Sequence, residues 1–328
     1  MKNILGVILA VMLVSMLVSV AHSSVVAKVN LVLTVVDDEG KPVDDALVRG
    51  SGWIPGGRDD IFKDTTDSKG QMTIKFNAAV DYGFDIVKEG YYRSYMHYYL
   101  TDGTGPKIED GYWQPNPIQE TVVLKRVRNP VPMYVKAVNE KVPVYGQAVG
   151  YDLMAGDWVA PYGKGSVADF IFNVTGEYNS YDDRATRMTV TFSNAKDGIQ
   201  SFKSLPLHNE EPLGSAFWSG YEAPVDGYES VYEYERILKY EKAGRKNASP
   251  RIDLNFYFRV RAQVDGNGNV ETAIYGKIYR DFFCYYDHFK NEIKVQFWYY
   301  LNPDGTRNME ADTKKNLFGP TVNVGITP

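Results

Sequence analysis

Residues arranged for catalysis are scarce in this sequence. The histidines beyond residue 23 are His97, His208 and His288, and none lies in the His-Glu-x-x-His pattern that binds zinc on a helix. There is no Gly-x-Ser-x-Gly nucleophile motif, no phosphate-binding loop and no Gly-x-Gly-x-x-Gly dinucleotide fingerprint. The sequence therefore predicts no catalytic residue, no metal site and no cofactor.

A thiol and a set of carboxylates are the remaining reactive groups. Cys284 lies between Phe282-Phe283 and Tyr285-Tyr286, so we expect a buried and unreactive side chain. Two carboxylates facing each other would suffice for glycoside hydrolysis, but that depends on their separation in space. A carbohydrate-active hydrolase is thus an alternative that the sequence leaves open. The acidic residues concerned are Glu210, Glu211, Asp226, Glu229, Glu233 and Glu235.

Aromatic side chains share strand faces with long hydrogen-bond donors in the last third of the chain. Rings stack on the C–H faces of sugars, and arginine or glutamine donates hydrogen bonds to hydroxyl groups and carboxylates. We therefore predict a glycan-binding sheet face that consists of Tyr257, Arg259, Arg261, Tyr275, Trp298 and Tyr300. The alternative is that these rings simply suit β-strands and are covered by another segment.

The strands that carry these residues follow from period-two alternation. In 253–264, apolar residues fill every even position, which favours a strand over a helix. Matching its faces with those of the strand at 270–279 requires a loop of three or five residues, with Gly266 or Gly268 at positive φ. An arginine, Arg259 or Arg261, then lies opposite Tyr275. We predict further strands at 170–174, 188–192 and 292–300, whereas 232–246 is ambiguous and could be the one helix.

The first third of the chain alternates in the same way between turns. Val29, Leu31, Leu33 and Val35 share one face of a strand, and turns follow at 37–41 and 66–70. The segments VVDDEGKPVDDALVRG, TTDSKGQMTIKF, YGFDIVKEGYYRS and ETVVLKRV resemble the carboxypeptidase regulatory-like domain, a transthyretin-like antiparallel sandwich. The resemblance covers about residues 27–128. It implies an accessory fold in an exported, often surface-associated setting and brings no catalytic residues; the stretch 96–117 departs from the family pattern as an insertion.

These patterns divide the chain into four parts. Residues 1–23 have the positive start, apolar run and small-residue end of a cleaved signal peptide; an uncleaved anchor helix is the alternative. Residues 24–128 form the regulatory-like sandwich, 129–143 a proline-containing linker, and 144–328 a larger antiparallel β-sandwich or jelly-roll-type domain. No cysteine follows the apolar run, which excludes a bacterial lipoprotein anchor.

Composition narrows the function further. The net charge of −5 argues against a nucleic-acid-binding surface. A single cysteine excludes an intramolecular disulfide framework and favours a bacterial secreted or periplasmic protein with no membrane span once the leader is removed. We therefore expect an all-β, exported, non-catalytic binding or surface module whose partner is a glycan or another cell-surface ligand. A structural component of the envelope is the third hypothesis.

Overall fold

The computed structural model describes residues 25–101, 105–204, 207–208, 211–241, 244–247, 251, 253–319 and 328. The signal peptide expected at 1–23 lies outside these residues. Within them the chain is all-β, as the alternation predicts: strands and turns occur, and no α-helix does. In particular, no helix in the described ranges is long and apolar enough to cross a membrane.

The strands of the first half surround one apolar core. They are β1 Ala27–Asp37, β2 Leu47–Gly52, β3 Asp60–Thr65, β4 Gln71–Ala78, β5 Asp81–Val87, β6 Ser94–Tyr99, β7 Ile108–Glu109, β8 Tyr112–Trp113 and β9 Ile118–Leu124.

The strands of the second half are longer and form two larger sheets. They are β10 Val131–Lys141, β11 Ala148–Asp152, β12 Asp157–Trp158, β13 Phe170–Ser180, β14 Asp183–Thr191, β15 Gly198–Lys203, β16 Leu207–His208, β17 Glu211–Pro212, β18 Gly214–Ser215, β19 Val231–Glu241, β20 Gly244–Asn247, β21 Leu254–Val264, β22 Val270–Ile278, β23 Phe283–Asp287, β24 Glu292–Asn302 and β25 Ala311–Asn316.

Two sheets form the first half. One has the order β4-β1-β8-β7, with β9 parallel to β1; the other has the order β18-β6-β5-β2-β3. The predicted face of β1 is confirmed, because Val29, Leu31, Leu33 and Val35 are all fully buried between the sheets. The turns expected at 37–41 and 66–70 are also present.

The second half packs a sheet of order β15-β21-β22-β24-β10-β25 against one of order β12-β11-β13-β14-β19-β20. Phenylalanine rings fill the space between them: Phe258 and Phe170 lie 5.1 Å apart, and Phe282 and Phe297 5.2 Å apart. The expected strand pattern of 253–264 holds as far as residue 260, since the even-numbered residues from Leu254 to Val260 join this core.

One expectation about an element is wrong, and one segment that the sequence left ambiguous is a strand. Residues 129–143 are not a linker throughout, because β10 pairs with β24 over eight residues and buries Met133 and Val135. Residues 231–241 form strand β19, which pairs with β14. Its glutamates and lysines favour a helix, but Tyr234 and Leu238 face the core while Glu233 and Glu235 face solvent, which is the period of a strand. The domain boundaries at 24–128 and 144–328 stay predictions.

The predicted β21–β22 hairpin is confirmed in its loop and register. Val264 pairs with Val270 across a five-residue loop, and Gly268 has φ +79°. Arg259 lies opposite Tyr275, as face parity requires.

Direct contacts join the two halves. Strand β18 pairs with β6, and the Lys125 ammonium donates hydrogen bonds to the carbonyl oxygens of Phe217 and Ser219 at 3.0 and 2.8 Å. Tyr92 Oη donates to Glu310 Oε1 at 2.9 Å. The first half therefore contacts the second through residues 214–219 and Glu310.

Candidate functional site

The sheet face that the sequence predicts as a binding surface is covered. Tyr257 and Tyr275 are 7% and 8% exposed, and they pack against Phe217, Tyr221 and Ala223. The expectation of an open face is therefore wrong at these positions. Alternation along a strand distinguishes its two faces, but it carries no information about the distant segment, here 217–228, that crosses one of them.

Arg259 and Tyr300 have structural contacts at this covered face. The Arg259 guanidinium donates to the carbonyl oxygens of Lys196 and Val225 at 2.8 and 2.9 Å and lies 4.5 Å from the ring of Tyr228. Tyr300 is fully buried. The Arg259 side chain thus holds two loops against the sheet, and Tyr300 packs against Tyr279 and Trp298.

Arg261 faces the opposite side from the one predicted. It has φ +55° at a bulge in β21, so its side chain pairs with Asp169 at 2.7 Å and with Asp152 at 2.9 Å. Burial raises the pKa of Asp169 despite this pairing. Burial acts in the same direction on Asp152, but three backbone N–H groups and Arg261 outweigh it and lower the pKa of that carboxyl. The arrangement is a buried ion-pair network within the fold.

Trp298 is the one predicted aromatic residue that is neither deeply buried nor covered by segment 217–228. It is half-buried and lines a small cavity on the outer face of β24. The structure therefore does not bring the six predicted residues together at one open surface.

Lys277, on the same strand face as Tyr275, is completely buried. Its ammonium donates to Tyr279 Oη at 2.8 Å and to the carbonyl oxygen of Met309 at 2.7 Å, and the ring of Tyr300 lies 5.0 Å away. Burial lowers the pKa of Lys277 well below its usual value; Lys125 adds to this and Glu310 opposes it. This site is closed to solvent and offers no route for a substrate.

An open site lies instead on the first half, on the outer face of strands β2, β5 and β6. Because residues on one face of a sheet alternate along each strand, cross-strand neighbours form rows. Three rows cross this face: Tyr95–Asp85–Arg49, His97–Gly83–Ser51 and Tyr99–Asp81. Trp53 follows β2 and donates its backbone N–H to the Asp81 carbonyl at 3.0 Å, which extends the third row.

The middle row produces a groove. Gly83 has no side chain and Ser51 a small one, so the floor is low between the outer rows. A Cβ on Gly83 would lie only 3.1 Å from Tyr95 Oη and 3.2 Å from His97 Nδ1, which shows that both side chains lean over this floor. We call this depression the aromatic groove; its volume is about 590 Å³. A glycine at the centre is therefore what keeps the groove open.

The rim of the aromatic groove is aromatic and exposed. Trp53 and Tyr99 are 40% and 64% exposed, although both are large rings on an ordered sheet. Such rings offer flat apolar faces to a ligand without first having to unpack from a core. The groove therefore has platforms for stacking.

Charged groups lie along the same groove. Asp85 accepts a hydrogen bond from Arg49 at 2.9 Å and is 3.6 Å from Arg93. Asp81 Oδ2 lies 3.6 Å from His97 Nε2. With Asp59, which also lines the groove, these groups provide both donors and acceptors beside the rings. The combination suits a ligand that has apolar faces and many hydroxyl groups.

The sequence predicts no site at the aromatic groove, although part of the residue pattern that forms the groove can be seen in it. The alternation of 94–99 puts Tyr95, His97 and Tyr99 on one face, although the aromatic neighbours of His97 favour a packed side chain there. The side chain of His97 is indeed only 9% exposed. The sequence alone does not show that β2 and β5 place Gly83 beside these rings.

The expectations for Cys284 and for metal ions can also be compared with the structure. Cys284 is fully buried, as expected, and burial raises its pKa to about 12. Across the described ranges, no group of three His, Cys, Asp or Glu residues could hold a metal ion. The sequence does contain one His-x-x-Glu spacing, at His208 and Glu211, whose side chains lie outside the described part.

Comparisons with known proteins assign no family to this chain. No protein-family model matches this sequence, and no curated protein matches it. The 3-chlorocatechol 1,2-dioxygenase of Rhodococcus opacus 1CP aligns at 17% identity and a TM-score of 0.26 over 31% of this chain, which spans 60% of that enzyme's length. A "putative carbohydrate binding protein" from Bacteroides uniformis aligns at 9% identity over 82% of this chain and 95% of its own, with a TM-score of 0.18. BcpA, the major pilin subunit of Bacillus cereus, aligns at 10% identity over 88% of this chain and 100% of its own, with a TM-score of 0.21.

Proposed function

We propose that this protein is an exported, non-catalytic binding module that recognises a glycan through the aromatic groove. The observation that carries the proposal is the pair of exposed rings, Trp53 and Tyr99, on the rim of a groove whose floor is Gly83. Sugar rings have apolar C–H faces for stacking and hydroxyl groups that hydrogen-bond to carboxylates and guanidinium groups. The volume of about 590 Å³ is in the range of small-molecule sites.

The positions of the carboxylates in the groove favour a role in binding a ligand over a role in hydrolysing it. Asp81 and Asp85 are four residues apart on one extended strand, so their Cα atoms are about 13 Å apart. Side chains on one face of a strand stand roughly perpendicular to the sheet, which keeps the two carboxyl groups a similar distance apart. Glycosidases place their two carboxyl groups about 5 to 9.5 Å apart. In addition, Asp85 is already paired with Arg49. The proposed role of these groups is to orient a bound sugar.

The setting of this module is part of the proposal. The leader-like residues 1–23 support export, and the sequence of residues 27–128 resembles the carboxypeptidase regulatory-like domain. In that family the domain is accessory, which is compatible with a binding role.

The proposal is tested with the purified protein on a glycan array, followed by titration calorimetry with the best glycan. Trp53→Ala and Tyr99→Ala should each weaken binding about tenfold, because loss of one stacked ring costs about 1.4 kcal/mol. Tyr162→Ala is the matched control, since Tyr162 is 47% exposed and does not line the groove. The absence of any bound glycan, or equal binding by wild type and both rim variants, would refute the proposal.

A further inference from the structure

The row of cross-strand neighbours that forms the floor of the aromatic groove continues beyond the groove. The floor runs from Gly83 on β5 to Ser51 on β2, and Ser51 lies opposite Ile61 on β3. Phe62, the next residue of β3, is buried in the core, so Ile61 lies on the outer face together with Gly83 and Ser51. Among the described strands β3 is the edge of its sheet, and Ile61 is 80% exposed. The floor is therefore open at this end.

Polar groups lie on both sides of this exposed isoleucine. Asp59 and Lys63 are two residues away from Ile61 in either direction, and both are exposed. Neither side chain forms a hydrogen bond or an ion pair with any residue that the structure describes. Asp59 also lines the aromatic groove. An apolar surface between an acceptor and a donor is the combination that the groove itself offers, so Ile61 extends the groove by one strand.

The exposed rings on the rim are separated along the same direction. Tyr99 is on β6 and Trp53 follows β2, with Asp81 of β5 between them. Neighbouring strands are about 4.8 Å apart, so the backbones that carry the two rings are about 10 Å apart, and β3 with Ile61 lies about 5 Å further. One sugar unit of an extended chain advances by about one strand spacing. A single sugar is therefore too short to contact both rings, whereas a chain that crosses the strands reaches both rings and Ile61.

We propose that the glycan in the aromatic groove is an extended, unbranched oligosaccharide of about three or more units that crosses β6, β5, β2 and β3. Successive sugar units pack their C–H faces on Tyr99, Trp53 and Ile61. Hydroxyl groups of the unit over β3 donate to the Asp59 carboxylate and accept from the Lys63 ammonium. This assignment rests on the proposed glycan-binding function and specifies the length and shape of the glycan.

Titration calorimetry with oligosaccharides of defined length tests chain length and chain shape. The extended chains are cello-, xylo-, manno- and chito-oligosaccharides, and malto-oligosaccharides contain the same sugar as the cello series in a coiled chain. We expect at least one extended series to bind about tenfold more tightly as a tetramer than as a dimer, and the malto series to show no such gain. Equal affinities of dimer and tetramer in every extended series, the same gain in the malto series, or no binding of any extended series overturns the proposal.

Variants at Ile61 then locate the far end of the chain. Ile61→Ser should weaken binding of the tetramer about fivefold and leave the dimer unchanged, because only the longer chain covers the isoleucine. Ile61→Leu should keep the affinity of the wild type. Val225→Ser is the matched control, since Val225 is a 65% exposed apolar residue that does not line the groove. Circular dichroism and thermal melting confirm that each variant is folded. Unchanged tetramer binding in Ile61→Ser, or an equal loss for dimer and tetramer, overturns the proposal.

The same measurements separate this proposal from the proposed function. A glycan whose binding depends on Trp53 and Tyr99, but neither on chain length nor on Ile61, overturns the extended-chain assignment and leaves the glycan-binding function standing. If no glycan binds at all, both are overturned.

Discussion

Arg261 shows how a single residue at an irregular position can hold two elements together. Its left-handed conformation interrupts β21 and directs the guanidinium to Asp152 and Asp169, at the end of β11 and the start of β13. The two carboxylate side chains are only 6% and 0% exposed, so water cannot replace the arginine as their partner.

Replacing Arg261 by glutamine should therefore destabilise the protein by about 3–5 kcal/mol, because it leaves two buried carboxylates without a counter-charge. The measurement is urea unfolding at neutral pH. Arg187→Gln is the control: Arg187 also pairs with an acidic residue, Glu235, but both side chains are about half exposed, and the loss should stay below about 1 kcal/mol.

The pH dependence gives a second check on the same prediction. The folded-state pKa of Asp169 is raised by burial, so the folded protein binds a proton there more readily than the unfolded chain does. Without Arg261 this preference for the protonated form grows. The penalty of Arg261→Gln should therefore shrink as the pH falls into the carboxyl range, and a penalty that is constant or larger at acidic pH would contradict the assignment.

At the scale of elements, the β21–β22 hairpin depends on one loop conformation. Asp265 Oδ1 accepts hydrogen bonds from the backbone N–H groups of Asn267 and Asn269, both at 2.9 Å, and Gly268 lies in the left-handed region at φ +79°. These contacts lower the pKa of Asp265, chiefly through the backbone N–H of Asn269.

Gly268→Ala should destabilise the protein by about 1 kcal/mol, because an L-residue is disfavoured in the left-handed conformation. Gly266→Ala in the same loop is the control, since its φ is ordinary and a Cβ there would meet nothing within 4 Å. Chemical unfolding of both variants checks the prediction. Equal stabilities would show that the loop can adopt another turn at no cost.

On the scale of the whole molecule, Glu310 lies where the two halves meet. Its carboxylate is 2% exposed and accepts hydrogen bonds from Tyr92 Oη and from the backbone N–H groups of Arg128 and Asn129, at 2.8–2.9 Å. Tyr92 also packs against Phe217, with ring centroids 5.1 Å apart. Polar and apolar contacts thus cross this boundary together.

We therefore expect the wild-type protein to unfold in one calorimetric transition, because neither half keeps its boundary surface covered without the other.

Glu310→Ala should lower the free energy of unfolding by about 2–3 kcal/mol, because it leaves hydrogen-bond donors unpaired in the interior. Glu222→Ala, which removes a 63% exposed carboxylate paired with Arg307, should change it by less than about 1 kcal/mol. Two well-separated transitions in the wild type would contradict the expected single transition.

The sequence alone determines which side chains of a strand point inward and where the chain turns. Alternation is a local property of extended backbone, so the buried face of β1 and an odd-numbered loop of three or five residues before β22 were predictable. The burial of Cys284 was predictable from its aromatic neighbours in the sequence. At 129–143 the prolines predicted a linker in place of strand β10, and at 232–246 helix-favouring charges left the alternation ambiguous.

Only the tertiary structure decides which of the remaining faces meets solvent. Tyr257 and Tyr275 look exposed by alternation, but residues 217–228 cover them. Conversely, the aromatic groove exists because β2, β5 and β6, which are separate in sequence, put Gly83 beside Tyr99 and Trp53. The physical reason is that covering or opening a face depends on contacts between distant segments, and no period along a single strand contains that information.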